Sequence, residues 1–234
     1  MNATAVRDIT GPSLRDQVSE EEWKVRVDLA AAYRLAHHHG WTSTLIYNHI
    51  SARIPGLDHH FLLNPFGLRW DEVTASNLVK IDLEGNILDD TPYKINNAGY
   101  TIHSAIHAAR EDAMCVIHTH TEAGMTLSAL DEGLIYTNQD AMMFYGHTAY
   151  HDFEGIALDL GERGRLVEDL ADNKVMILRN HGLLTTGMSV ADAWVQMYFL
   201  EKVCSSQLKL LSAAAASGQS IRYPSKEVCD HTAK

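Results

Sequence analysis

Cys115-Val116-Ile117-His118-Thr119-His120 is a short apolar run closed by two histidines one residue apart, and Val175-Met176-Ile177-Leu178-Arg179-Asn180-His181-Gly182 repeats the design with a third. In an extended strand, side chains alternate between faces, so His118 and His120 point the same way about 7 Å apart along the backbone. Two imidazoles placed like this can converge on one cation. His181, arriving from a neighbouring strand end, would complete a facial cap and leave open positions for water or substrate. Neutral imidazole suits Mn, Zn, Fe or Co. Fourteen histidines in 234 residues make a chance His-x-His pair easy to find. Arg-Asn-His behind a β-like run, however, is a costly place for three polar side chains unless something polar needs them there.

The rest of the composition narrows the class. A chain of 234 residues that is 46% hydrophobic can bury one substantial core. A formal charge of −11 disfavours nucleic acid and anionic membrane surfaces as partners, since both reward a basic face. No stretch approaches the roughly 20 apolar residues of a membrane helix, and the start, MNATAVRDITGPS, lacks the apolar centre of a signal peptide. A cytoplasmic location is the expectation. Cys115, Cys204 and Cys229 are odd in number and widely spaced, so reduced thiols are expected, with Cys115 a small buried one.

Residues 1–19 read as a flexible arm, 20–216 as one domain and 217–234 as a loose tail. Ser19 and Glu22 have capping-box spacing ahead of a helical pattern that runs to Gly40. Segments 47–55 and 59–67 predict strands joined by a Pro-Gly turn. Residues 73–90 predict a helical turn, a strand, a turn at Gly85-Asn86 and a second strand. Helices are expected over 97–111, 122–131, 155–172 and 189–216, and further strands over 113–118, 134–137, 142–149 and 174–179. Strands mixed irregularly with helices point to a mixed sheet between helical layers.

Taken in order, NHISAR (48–53), NPFG (64–67), ASNLVKIDLEG (75–85), HSAIHAARED (103–112), VIHTHT (116–121) and RNHGLLTTG (179–187) resemble the class II aldolase/adducin head-domain family over roughly residues 20–215. The resemblance implies an α/β, three-layer αβα fold with a central mixed, mostly antiparallel sheet. It implies a divalent transition metal on His118, His120 and His181, and a homotetramer with sites at subunit interfaces. Departures from the aldolase pattern are informative. The position of the family's glutamate is Gly99, the serines before it are Asn97 and Ala98, an asparagine is His49, and the small threonine of the phosphate loop is Phe66. These changes remove a proton shuttle and work against a phosphorylated sugar. They resemble the adducin-like branch, which includes cytoskeletal heads without known catalysis.

The expectation is therefore a metal-dependent carbon–carbon lyase, a decarboxylase of a small unphosphorylated hydroxy-aromatic, pyridine or oxo carboxylate. Alternatives are an Fe(II)-dependent oxygenase, a sugar-phosphate aldolase with Glu122 replacing the lost carboxylate, and a non-catalytic interaction domain. His49, Tyr145 and Tyr150 are the candidate proton-transfer groups, with His147 beside them. Asn64, Phe66, Gly67, Asn97 and Arg53 are the candidate substrate contacts, Arg110 being read first as a helix-end charge. His103 and His107, four apart on a helix, are expected to pack behind the ligands.

Overall fold

The computed structural model describes residues 13–42, 44–56, 59–155 and 161–233; the side chains of Leu45, Asn97 and Ala98 lie outside the described set. Helix α1 (Glu20–His38) leads to β1 (His49–Arg53), β2 (Phe61–Leu63) and β3 (Val79–Ile81). Then come α2 (Asn97–Ala109), β4 (Cys115–Thr119), α3 (Glu122–Ser128) and β5 (Thr148–His151). The chain continues through α4 (Glu162–Leu170), β6 (Val175–Leu178), β7 (Gly182–Gly187), α5 (Val190–Ser217) and α6 (Lys226–Thr232). The seven strands form one sheet in the order β3-β2-β1-β4-β7-β6-β5. Only β5 and β6 run parallel, so the sheet is mixed and mostly antiparallel.

Alternation along the central strands builds two cores. Ile50, Ile117, Ile177 and Leu183 face α1, α3 and α5, where they meet Leu29, Tyr33, Leu127, Met197 and Leu200. Val116, Met176 and Leu184 face the opposite way, onto Ile102 and Ile106 of α2 and Leu166 and Leu170 of α4. Both faces are covered, which is why β4, β6 and β7 read as continuous apolar runs rather than alternating ones. This is the three-layer αβα arrangement expected.

Several local expectations change. The Ser19 hydroxyl caps α1 by accepting from the Glu22 N–H at 3.1 Å. The Glu22 carboxylate turns instead to Arg26 and Lys80, each at 2.8 Å. Residues 134–137 form no strand, because side chains take the place of a ladder: Tyr150 accepts from the Leu134 N–H, and Gln207 bonds both the Ile135 N–H and the Gly133 carbonyl. The 142–149 run begins in a 3₁₀ turn (Asp140–Phe144), and only Thr148 and Ala149 of it lie in β5. Beyond Gly85 the second strand is reduced to one bridge, Ile81 to Ile87. The tail is not loose throughout: α6 is capped by Ser225 and buries Cys229. Residues 1–12 of the expected arm lie outside the described residues, whereas Leu14 is bound to Ser76.

Candidate metal centre

β4 lies between β1 and β7, with His49 opposite His118 on one side and Leu184 opposite it on the other. Alternation sends the His118 imidazole to the α2 face of the sheet. Its Nδ1 lies 2.9 Å from the Leu183 carbonyl, which can only accept, so Nδ1 carries the proton and Nε2 keeps a bare lone pair. The Nε2 of His120 stands 2.8 Å from it. His120 is held at the strand end from two sides: the buried Asn48 Oδ1 accepts its backbone N–H at 2.6 Å, and Tyr47 stacks on its ring.

His181 reaches the same point through an unusual turn. Asn180 adopts a left-handed φ of 53°, a conformation asparagine tolerates better than most residues. Gly182 then passes so close to β4 that a Cβ would lie 2.3 Å from the Thr119 carbonyl oxygen. Only glycine fits there. The turn brings the His181 ring 4.8 Å from His118 and 4.6 Å from His120, centre to centre, and the latter two rings are also 4.6 Å apart. All three planes cross at 72–74°, as blades around an axis.

This donor set fits a divalent cation. Two nitrogens bound to one ion at roughly 2.0–2.1 Å, at right angles, lie about 3 Å apart, close to the 2.8 Å seen between His118 and His120. One donor nitrogen from each of the three histidines falls within 4.8 Å of the other two. Burial, aided by the neighbouring imidazoles, pushes His118 well below its ordinary range, and burial first of all brings His120 and His181 down to about 4. The rings are neutral at pH 7, the form that ligates.

A cavity of about 310 Å³ opens over the three rings, walled by Tyr47, His49, Gly99, Ile102, Met125 and Phe153. Among the described residues no carboxylate lines it; Glu122 is exposed on the first turn of α3. Gly99, where the resemblance expects a glutamate, has a steric partner. A Cβ on Gly99 would lie 2.4–2.5 Å from Cδ2, Cγ and Nε2 of His49. The two positions are thus sterically coupled, with the His49 ring filling the space above a bare backbone. Burial lowers His49 to about 3, and its Nδ1 is buried without a hydrogen-bond partner.

His49 also borders a second cavity of about 240 Å³, where Asn64, Phe66 and Gly67 sit with Ile46, Leu68 and Trp70. Two of its polar side chains are already engaged. Asn64 Oδ1 accepts from the Tyr33 hydroxyl, and Arg69 is forked onto Asp71. The remaining candidates are not brought to the histidines. Tyr150 lies under the Arg179 guanidinium, 4.4 Å from ring centre, with its oxygen taken by Leu134. Tyr145 packs on Tyr136, and His147 is exposed. Arg53 ends the strand that His49 begins, about 13 Å away at strand rise, and donates to the His107 carbonyl. Arg110 pairs with Asp112 and the Ala171 and Asn173 carbonyls. Asn97 opens α2; its side chain lies outside the described residues.

Three features were not foreseen. Ser51 bridges His103 at 2.6 Å and His107 at 2.7 Å, a buried polar cluster behind the site. Asn48 was visible only as part of a motif. Glu201, on α5, accepts from Thr119 and Thr121, the residues on either side of His120. In the sequence it looks like any charged residue of a long helix.

Against known proteins, residues 27–208 match the family model described as class II aldolase and adducin N-terminal domain. The crystal structure of an aldolase II superfamily protein from Pseudomonas syringae superposes with a TM-score of 0.89 at 55% identity, covering 94% of this chain and 88% of that one. An L-fuculose 1-phosphate aldolase from Glaciozyma antarctica PI12 superposes at 0.79 with 32% identity, covering 96% and 86%. Alpha-adducin of Rattus norvegicus is 44% identical over 90% of this chain, a match that spans 29% of its own length. With the family model matched over most of its length and relatives this similar across nearly all of it, the chain belongs to the class II aldolase and adducin N-terminal domain family.

Proposed function

We propose that the protein is a divalent-metal-dependent carbon–carbon lyase, a decarboxylase of a small unphosphorylated carboxylate bearing a hydroxyl, pyridine or oxo group. The observation that carries this reading is three neutral imidazoles converging beneath an open cavity that contains no carboxylate among its described walls. Bound there by His118, His120 and His181, a Mn, Zn, Fe or Co ion would supply Lewis-acid stabilisation of the charge left as a carbon–carbon bond breaks. The protein's own part is positioning. Ile102, Met125 and Phe153 give the cavity an apolar lining, and His49 is the nitrogen group nearest to where an aldolase glutamate would stand. Kept neutral by burial, His49 would hand its ring N–H proton to the carbon that loses CO₂, with water reached through the open cavity reprotonating the ring.

Substrate choice follows from the adjoining cavity. Phe66, Leu68 and Trp70 offer an apolar wall, and the Arg69 cation is neutralised by Asp71, so a flat ring or apolar chain is favoured over a phosphate. Ile46, Tyr47, Phe66 and Phe153 are large apolar side chains left exposed near the mouths of the two cavities. They suit contact with a second subunit in a homotetramer. Among the described residues, no helix is long and apolar enough to cross a membrane; we place the enzyme in the cytoplasm.

A second reading is supported by the 44% identity to alpha-adducin: an interaction domain without turnover. Anaerobic loading with Mn(II), Co(II) and Fe(II) separates the two, followed by metal analysis, light scattering, and CO₂ and O₂ measurement with hydroxybenzoates and 2-oxo acids. Stoichiometric metal and CO₂ release are expected. Failure to take up any metal would favour the interaction domain, and O₂ consumption coupled to product would replace the lyase by an oxygenase.

A further inference from the structure

Three carboxylates are buried among the described acidic residues, and Glu201 differs from the other two. Glu22 is paired with Arg26 and Lys80, and Glu162 lies 3.5 Å from His151. Glu201 forms no ion pair with any described residue. Its partners are two hydroxyls, Thr119 Oγ1 at 3.1 Å and Thr121 Oγ1 at 2.5 Å, and both donate to the same oxygen, Oε1. If accepting two hydroxyls were the whole task, glutamine would do it through Oε1 without burying a charge. An ionisable group without a cation is an expensive choice in a dry place.

The strand supplies the reason for the charge. Thr119 alternates with His118 along β4, so its hydroxyl faces α5 while the imidazole faces the cavity. Thr121 caps α3, accepting from the Gly124 N–H while donating to Glu201. His120 lies between these two anchors. The carboxylate therefore sits directly behind the strand end whose opposite face carries the three converging nitrogens. Burial, partly offset by the hydrogen bonds from Thr121 and Thr119, pushes its carboxyl up to about 6.

We infer that Glu201 is the counter-charge of the three-histidine centre, a positioning residue that acts through Thr119 and Thr121 to balance a cation held on the other face of β4. The inference rests on the metal-centre reading above. It is tested with zinc as the probe, by competition against a chromophoric chelator at pH 7.5, using wild type and Glu201→Gln. Gln retains the acceptor for both hydroxyls and removes the charge. The expected result is zinc affinity at least tenfold weaker, in the range typical of residues that support metal ligands, with the melting temperature of the metal-free protein held or raised. Equal affinity in the two proteins would overturn the inference. Glu201→Asp and Glu201→Asn, equal in length and different in charge, repeat the comparison should Gln fail to fold; Asn must again bind at least tenfold more weakly than Asp. A wild-type protein that takes up no zinc would overturn the metal centre itself, and the inference with it.

Discussion

At residue 99, van der Waals contact decides what chemistry the site can hold. Gly99 lies within a helix, where alanine would ordinarily stabilise by up to about 1 kcal/mol. Here the added methyl would strike the His49 ring at 2.4 Å. Gly99→Ala is therefore expected to destabilise by about 1–3 kcal/mol, the usual range for overpacking. In a His49→Ala background the same substitution should become neutral or stabilising. Urea melts of the four proteins form a double-mutant cycle; an additive result would show that the two positions are not sterically coupled. The convergence of His118 and His120 was legible because strand alternation is a rigid rule and His-x-His on an apolar run obeys it. The failure at Tyr150 has an equally plain cause. Nearness along the chain said nothing of Arg179, which arrives from another strand end and covers that ring.

Arg26 shows how one buried charge joins an element to the rest of the fold. It lies in α1 with no exposure, and it binds Glu22, Asp89 at 2.7 Å and the carbonyls of Ala75 and Leu78. The segment after β2 has little regular structure of its own, so these bonds fasten it to the helix. Arg26→Met would leave Asp89 facing only Lys80, 3.7 Å away. Breaking a buried pair from one side costs about 3–5 kcal/mol, and the lower end applies because Lys80 still neutralises Glu22. A shift in the urea midpoint equivalent to less than about 1 kcal/mol would mean the network behaves like a surface pair. Elements whose stability is local were readable in advance: α1 from its cap and apolar spacing, β4 and β6 from their runs. Residues 134–137 were not, because Gln207 and Tyr150 satisfy backbone groups there from elsewhere in the chain. The α6 helix escaped for a similar reason. Its anchor is one small thiol, Cys229, set in a polar sequence.

For the whole molecule, the cluster of buried imidazoles makes stability depend on pH in a direction that can be worked out. Burial lowers His49 and His107 to about 3 and His120 and His181 to about 4, and holds His103 and His118 well below their ordinary range. In the unfolded chain each titrates near 6.5. Between these limits the unfolded state binds more protons than the folded one, so stability falls as pH drops through about 6.5 and keeps falling towards about 4. Glu201 acts oppositely over a narrower window. Its raised value of about 6 lets the folded state bind the extra proton between there and the ordinary carboxylate range. One carboxyl cannot offset six imidazoles, and the net slope belongs to the histidines. The metal-free protein is thus expected to lose melting temperature steadily from pH 7 to pH 4.5. Saturating zinc should hold the upper part of that window flat, since a cation bound only to the folded state adds stability by mass action. Melting curves with and without zinc across this range check both parts. A metal-free protein as stable at pH 5 as at pH 7 would mean that the imidazoles are open to solvent and free to charge, and a dry, neutral donor set beneath the cavity would no longer be tenable.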